Sequence, residues 1–185
     1  MHLHITSGSF ETHQSAAALS DWCTAMTQAF PQKTRELHNH HFDSTIWNDF
    51  AFRDDDIVIS TYAKSGTTWV QQIVAQLIFA GADDLGVAEI SPWLDLRVPP
   101  KSIKLPAVEA QSHRRFLKTH LPVDALVFSP KAKYIYIGRD GRDVAWSMHN
   151  HHFNANEKWY EALNDSRDAS ARRSHARPRM FTNTS

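Results

Sequence analysis

The strongest constraint on the fold lies between residues 56 and 81, where a β-branched run leads directly into a glycine-containing turn and an amphipathic segment. The run DIVIST, from Asp56 to Thr61, has the composition of a buried strand. Gly81 stands where a helix is expected to end, and residues 71, 72 and 76 are glutamines predicted on its polar face. The apolar positions that predict this helix are Trp69, Val70, Ile73, Val74, Leu77 and Ile78.

Two further strands are predicted downstream. The segment RRFLKTHLP predicts a short strand ending near Thr119, and KAKYIYIG predicts another over Lys131–Gly138. The stretch RDGRDVAWSMHNHHF follows as a turn and a helix, whereas the proline-punctuated stretch before RRFLKTHLP predicts a loop with short helical pieces. Strand, helix, strand, strand and helix in this order predict an α/β fold with a parallel sheet.

The length of 185 residues suits one domain, and composition divides it into three parts. Residues 1–23 are polar and lack periodicity, which predicts a loosely ordered extension. Residues 24–165 form the predicted domain, and residues 166–185 form an Arg-rich tail without a hydrophobic period. The net charge is zero, and five arginines fall between Arg167 and Arg179, so the predicted domain is mildly acidic. This pattern argues against nucleic-acid binding.

The cysteine content and hydropathy favour a cytoplasmic protein. Cys23 is the only cysteine, so an intrachain disulfide is excluded and a reducing compartment is expected. The N-terminal residues lack the cationic and apolar regions of a secretory signal. We expect no membrane span because about 18 consecutive apolar residues are required and none occur.

The turn after the first strand has the chemistry of a phosphate site. A helix N-terminus directs several backbone N–H groups and about half a positive charge toward one point. Lys64 adds a full charge, Gly66 permits a close backbone approach, and Ser65, Thr67 and Thr68 carry hydroxyls. The Walker A pattern is absent. From these residues alone, a phosphate cradle and an ordinary helix start capped by Ser or Thr both remain open.

Three segments, in order, resemble the sulfotransferase family that uses 3′-phosphoadenosine 5′-phosphosulfate (PAPS) as donor. YAKSGTTW is similar to the 5′-phosphosulfate loop, with Ala63 in place of the usual proline. FLKTHLP resembles the strand end whose histidine is the catalytic base, here His120. YIYIGRDGRDVAWSMHNH is similar to the 3′-phosphate-binding segment, where Arg139 and Ser147 match the phosphate-holding positions. Without the resemblance, His120 would be an ordinary strand-end histidine and Arg139 a surface partner of Asp140.

The resemblance implies a P-loop-like three-layer fold around a central parallel sheet, and sulfuryl transfer from PAPS to a hydroxyl or amine. His120 would be the base, Lys118 would lie near the sulfuryl group, and Lys64 would stabilise the leaving phosphate oxygen. The remaining donor-binding positions would be Ser65, Gly66, Thr67, Thr68, Trp69, Arg139 and Ser147, with Trp69 against the adenine. The family requires no metal. The HNHH runs at residues 38–41 and 149–152 raise metal binding as a rival, but their spacing fits no recognised ligand pattern.

One family feature is missing, because nothing here matches the late glycine-rich segment that closes over the donor. The fold is therefore expected to be incomplete at the C-terminus, and the chain is expected to be a truncated or frameshifted product. Three classes follow: an active sulfotransferase, a catalytically incomplete remnant with weak or no donor binding, and a less favoured nucleotide phosphotransferase. The sequence does not identify the small-molecule acceptor or the oligomeric state. Four apolar residues would line an acceptor pocket or belong to the core: Phe79, Trp93, Leu94 and Phe128.

Overall fold

The computed structural model of the chain describes residues 30–164, except for the side chains at positions 162 and 163. The predicted extension at residues 1–23 and the predicted tail at residues 166–185 both lie outside the described residues. The chain divides into two units, Met1–Phe30 and Pro31–Ser185. Every helix and strand described below belongs to the second unit.

Regular structure in this unit alternates between short strands and helices. The strands are β1 (Ile57–Thr61), β2 (Phe116–Thr119) and β3 (Lys133–Ile137). The helices are α1 (Thr67–Ile78), α2 (Val87–Ile90), α3 (Lys101–Glu109), α4 (Gly141–Asn154) and α5 (Glu157–Asn164). Two 3₁₀ helices, Ser44–Asn48 and Val123–Ala125, complete the described elements. Within residues 30–164, no helix combines the length and apolar character needed to cross a membrane.

The three strands form one parallel sheet in the order β2-β1-β3, which confirms the predicted α/β fold. Ile57 is in register with Phe116 on one side and with Lys133 on the other. Because the strands are parallel and in register, their carboxyl ends meet at the same edge. The turn after β1, the residue after β2 and the loop after β3 therefore lie side by side.

The sheet separates two apolar clusters, as strand alternation requires. Ile57 and Ile59 of β1 pack with Val74 and Ala75 of α1, whereas Val58 packs in the cluster on the opposite face. Leu94 belongs to that opposite cluster and is fully buried, so it serves the core. Phe128 is partly buried against the same cluster, and Phe79 against the α1 cluster.

Helix α1 differs from its predicted orientation. Gln71 is 3% exposed, whereas Trp69 and Leu77 are each 78% exposed. Gln71 can be buried because its Nε2 donates to the carbonyl and the hydroxyl of Ser91, at 2.7 and 2.9 Å. The assignment of all three glutamines to the exposed face was therefore wrong, since a satisfied amide can occupy an interior position.

The end of α1 lies one residue earlier than expected. Ala80 adopts the left-handed conformation with φ 51°, and Gly81 follows with φ 81°. The Gly81 N–H donates to the Gln76 carbonyl at 2.9 Å. This is the 6→1 hydrogen bond of a Schellman motif. Ala80 is therefore the first residue after the C-cap, the position predicted for Gly81, and Gly81 is the second.

Candidate active site

The turn between β1 and α1 holds two residues in the left-handed region. Lys64 has φ 66° and Gly66 has φ 106°, and the Ser65 N–H donates to the Tyr62 carbonyl at 3.2 Å. Glycine adopts such angles readily, but a lysine at positive φ is uncommon and costs free energy. The strained lysine lies at the carboxyl edge of the sheet, where the motif predicts the phosphate contact.

The N-terminus of α1 lacks the side-chain cap that the ordinary helix-start interpretation required. Gly66 occupies the N-cap position and offers no side-chain acceptor. The Thr67 hydroxyl is instead 2.5 Å from the Thr61 hydroxyl. The alternative of a Ser- or Thr-capped helix was therefore wrong at the N-cap, and the first-turn N–H groups retain the capacity to bind an anion. Thr68 and Trp69 follow on the exposed side of the same turn.

His120 follows β2 and is held by the last residue of β1. Its Nδ1 lies 2.8 Å from the Thr61 carbonyl oxygen and 3.4 Å from the Thr61 hydroxyl. A carbonyl can only accept, so Nδ1 carries the proton in this contact. The neutral ring therefore has its lone pair on Nε2, which is the atom available to take a proton.

Lys118 and His120 share a partly desolvated environment. Burial lowers the pKa of Lys118, Lys64 lowers it further, and Asp95 opposes both effects. Burial also lowers the pKa of His120, and Lys118 and Lys64 lower it further. The Thr61 carbonyl and Asp95 act in the opposite direction and raise it. The three titratable side chains named by the motifs, Lys64, Lys118 and His120, therefore interact electrostatically. A histidine with a lowered pKa is neutral at pH 7 and can accept a proton.

Trp93 and Asp95 complete this group, and the motif comparison missed Asp95. The Trp93 ring is in edge contact with the His120 ring at 4.7 Å, and Lys118 Nζ lies 5.5 Å from its centroid. Trp93 Nε1 donates to Asp95 Oδ2 at 2.8 Å. No signal in the stretch SPWLDL identifies these roles, because they arise when that loop packs beside β2.

Arg139 connects the third motif to the first. Its Nη1 donates to the Lys64 carbonyl at 3.0 Å, and its Nε is 3.8 Å from the Asp143 carboxylate. The alternative pairing with Asp140 was wrong, because Asp140 caps α4 through the Arg142 N–H and forms an ion pair with the Arg142 side chain at 3.2 Å. Arg139 is thereby positioned beside the Lys64 turn.

A cavity of about 410 Å³ opens between the Lys64 turn and the start of α4. Two of the predicted donor-binding residues, Ser65 and Arg139, line it. Ser147 is half-buried on α4, and it is not part of this lining. The other lining residues are Tyr62, Tyr136, Ile137, Gly138, Gly141, Val144, Ala145 and Met148.

The two histidine-rich runs approach each other. His40 and His41 are in ring contact at 4.1 Å, and the pKa of His41 is lowered to about 4, first by burial and then by His40 and His152. Burial lowers the pKa of His151, and Lys64, His152 and Lys118 lower it further. Within residues 30–164, no three His, Cys, Asp or Glu side chains are arranged to hold a metal ion.

The lowered pKa of His41 predicts that the fold loses stability at acidic pH. The unfolded chain binds a proton near the ordinary pKa of 6.5, whereas the native His41 binds it near 4, so the free energy of unfolding falls as pH drops through this window. Between pH 7 and pH 4.5 we expect the free energy of unfolding to fall by about 1–2 kcal/mol less in His41→Phe than in wild type, after allowance for the partial exposure of His41. Urea unfolding at pH 7 and pH 4.5 measures it, with the exposed His149→Phe as control. Equal pH dependence in wild type and His41→Phe would contradict the prediction.

Comparison with known proteins points to one family. The model of the sulfotransferase domain matches residues 54–182. A glycolipid sulfotransferase of Mycobacterium tuberculosis (strain H37Rv) is 42% identical over 125 residues, which cover 67% of this chain and 38% of that protein. Sulfotransferase 1A1 of Rattus norvegicus is 37% identical over 119 residues, covering 60% of this chain and 41% of that protein. The chain thus spans about two fifths of the length of these relatives.

A solved structure supports the fold. Retinol dehydratase, crystallised in a complex with retinol and PAP, superposes with a TM-score of 0.50 at 24% identity, covering 64% of this chain and 49% of that chain. At this identity the likeness concerns the fold alone. The family match also extends past residue 165 into the predicted tail, so the domain boundary placed there stays a prediction.

Proposed function

The chain belongs to the sulfotransferase domain family, and from this premise we propose that it transfers a sulfuryl group from PAPS to a hydroxyl or amine of a small molecule, releasing adenosine 3′,5′-bisphosphate. One observation carries the proposal. Lys64, Lys118 and His120 interact electrostatically at the carboxyl edge of the sheet. An uncapped helix N-terminus and a cavity lined by Arg139 adjoin them.

The residues present fit the donor. The first-turn N–H groups of α1 and the Lys64 ammonium suit its 5′-phosphosulfate, and Arg139 with the Ser147 hydroxyl suits its 3′-phosphate. Trp69 is 78% exposed beside this turn, which leaves its ring face accessible for stacking on a base. PAPS supplies the activated sulfuryl group, and the residues described next supply positioning, charge and a base.

His120 is proposed as the general base. Its Nδ1–H is fixed on the Thr61 carbonyl, so Nε2 takes the proton of the acceptor hydroxyl as the new oxygen–sulfur bond forms. Lys118 and Lys64 balance negative charge on the transferring group and on the departing phosphate oxygen. As in phosphoryl transfer, most of the rate enhancement then comes from positioning and charge stabilisation.

The acceptor is proposed to bind on the His120 side of the sheet edge. The lowering of the His151 pKa, first by burial and then in part by Lys64 and Lys118, supports this placement. The name of the mycobacterial relative makes sugar hydroxyls the first acceptors to test. Cytoplasmic location stays a prediction from the sequence.

A second candidate is a domain that binds the donor weakly and does not catalyse transfer. The observation that favours it is apolar surface around the candidate site. Trp69 of α1, Tyr136 of β3 and Trp146 of α4 are each more than two thirds exposed. A site that needs further structure over these side chains would bind the donor poorly alone.

Calorimetric titration with adenosine 3′,5′-bisphosphate distinguishes the two candidates. We expect wild type to bind, and Lys64→Ala and Arg139→Ala each to weaken binding at least about tenfold, since each removes a charge-assisted phosphate contact. The matched control is Lys131→Ala, an exposed lysine at the opposite end of the sheet. Absence of binding in wild type would favour the second candidate, and a stronger response to ATP–Mg²⁺ would contradict both.

A further inference from the structure

Asp95 is a buried carboxylate beside the proposed catalytic pair. It is 0% exposed and accepts three N–H hydrogen bonds within the described residues. The donors are Trp93 Nε1 at 2.8 Å, Trp47 Nε1 at 3.3 Å and the His120 backbone N–H at 3.3 Å. A charged group this deeply buried is costly unless it is well hydrogen-bonded or balanced by opposite charge.

The loop that carries Asp95 is attached to the strand that carries Lys118. The Leu94 N–H donates to the Lys118 carbonyl at 3.1 Å, and the Lys118 N–H donates to the Pro92 carbonyl at 3.1 Å. Lys104 Nζ donates to the Leu94 and Trp93 carbonyls at 2.9 and 3.2 Å. These contacts to the three residues before Asp95 therefore fix the loop beside β2 and hold the Asp95 carboxylate near the pair.

The Trp93 indole is in contact with Asp95 and with both members of the pair. The indole nitrogen is bound by the carboxylate, while the indole ring contacts His120 and lies under the Lys118 ammonium. Two cations act on His120, namely Lys118 on β2 and Lys64 on the turn after β1, whereas the negative charge comes from Asp95. Without Asp95, the base would lie among positive charges alone.

We propose that Asp95 is a positioning residue for the Lys118–His120 pair, holding the Trp93 ring against both side chains and supplying the buried negative charge that balances them. This proposal rests on the sulfotransferase function proposed above, because it assigns Asp95 a role in keeping His120 basic. An imidazole surrounded only by cations is a weaker base, and base strength sets the rate of proton transfer.

The first test does not need activity. NMR titration of the ring nitrogens in uniformly ¹⁵N-labelled protein gives the pKa of His120 in wild type and in Asp95→Asn. We expect the pKa to fall by roughly one unit in the variant, because a nearby opposite charge has been removed. Asp83→Asn, which removes an exposed carboxylate after α1, is the matched control and should leave it unchanged. An unchanged His120 pKa in folded Asp95→Asn overturns the proposal.

A second variant covers the case in which Asp95→Asn does not fold. Asp95→Glu keeps the charge and adds one methylene, so we expect the His120 pKa to stay within about 0.3 units of wild type while the Trp93 indole N–H resonance moves. A lowered His120 pKa, or an unmoved indole resonance, overturns the proposal.

Steady-state kinetics of the Asp95 variants tests the same proposal on the transfer reaction. We expect Asp95→Asn to lower kcat about tenfold with the donor KM within twofold, and to move the acidic limb of the pH–rate profile, where His120 loses its proton, to lower pH. Asp95→Glu should recover part of the loss. A loss confined to KM overturns the proposal. If wild type catalyses no transfer, the proposed function fails, and the NMR titration still decides whether Asp95 governs the proton affinity of His120.

Discussion

His120→Asn is expected to lower the rate of sulfuryl transfer by about 10²- to 10⁴-fold, which is the range that a positioned general base contributes. The asparagine amide can still donate to the Thr61 carbonyl that now accepts from His120 Nδ1 at 2.8 Å. The local packing is thereby retained while the lone pair at Nε2 is lost. Release of adenosine 3′,5′-bisphosphate from PAPS, with an acceptor that wild type sulfates, measures the rate.

Donor affinity separates loss of the base from loss of the site. Binding of adenosine 3′,5′-bisphosphate to His120→Asn should stay within about twofold of wild type, because His120 is assigned to the acceptor. His113→Asn is the control, since His113 precedes β2 and lies at the opposite end of a parallel sheet. A His120→Asn variant that retains a third of wild-type activity would show that another group accepts the proton.

The assembly of the site could be predicted from the sequence because its three segments all follow strands. DIVIST, FLKT and KYIYI are short β-branched or apolar runs, and each is followed directly by a motif. The resemblance named Lys64, His120 and Arg139, and parallel strands place the segments that follow them at one edge, so these three positions are expected to lie near one another. The hydrogen bond from Arg139 to the Lys64 carbonyl is consistent with that expectation.

The supporting contacts could not be predicted, because each depends on packing between segments distant in the chain. Gln71 is buried only because the Ser91 carbonyl lies within reach of its amide. Asp95 reaches His120 only because its loop pairs with β2. Helical periodicity describes one face of an isolated helix, and it carries no information about which polar group will find a partner inside.

Arg115→Met is expected to lower the free energy of unfolding by about 3–5 kcal/mol, as does the loss of one partner from other buried ion pairs. Arg115 and Asp56 have side chains 0% and 1% exposed, and they precede β2 and β1, at the end of the sheet opposite the candidate site. Arg115 Nε donates to Asp56 Oδ1 at 2.9 Å and Nη2 to Oδ2 at 2.5 Å, and Nη2 also donates to the Ala51 carbonyl at 2.8 Å. Truncating the arginine leaves Asp56 buried without its counter-charge.

The neighbouring arginine is a matched control. Arg114 lies 3.6 Å from Asp55, and both side chains are well exposed, so Arg114→Met should cost less than about 1 kcal/mol. Thermal unfolding followed by circular dichroism should then show a Tm about 10 °C lower for Arg115→Met and nearly unchanged for Arg114→Met. The double variant Arg115→Met/Asp56→Leu should recover part of the loss, because it removes the unpaired carboxylate. Equal losses at positions 114 and 115 would mean that the buried pair adds nothing beyond a surface one.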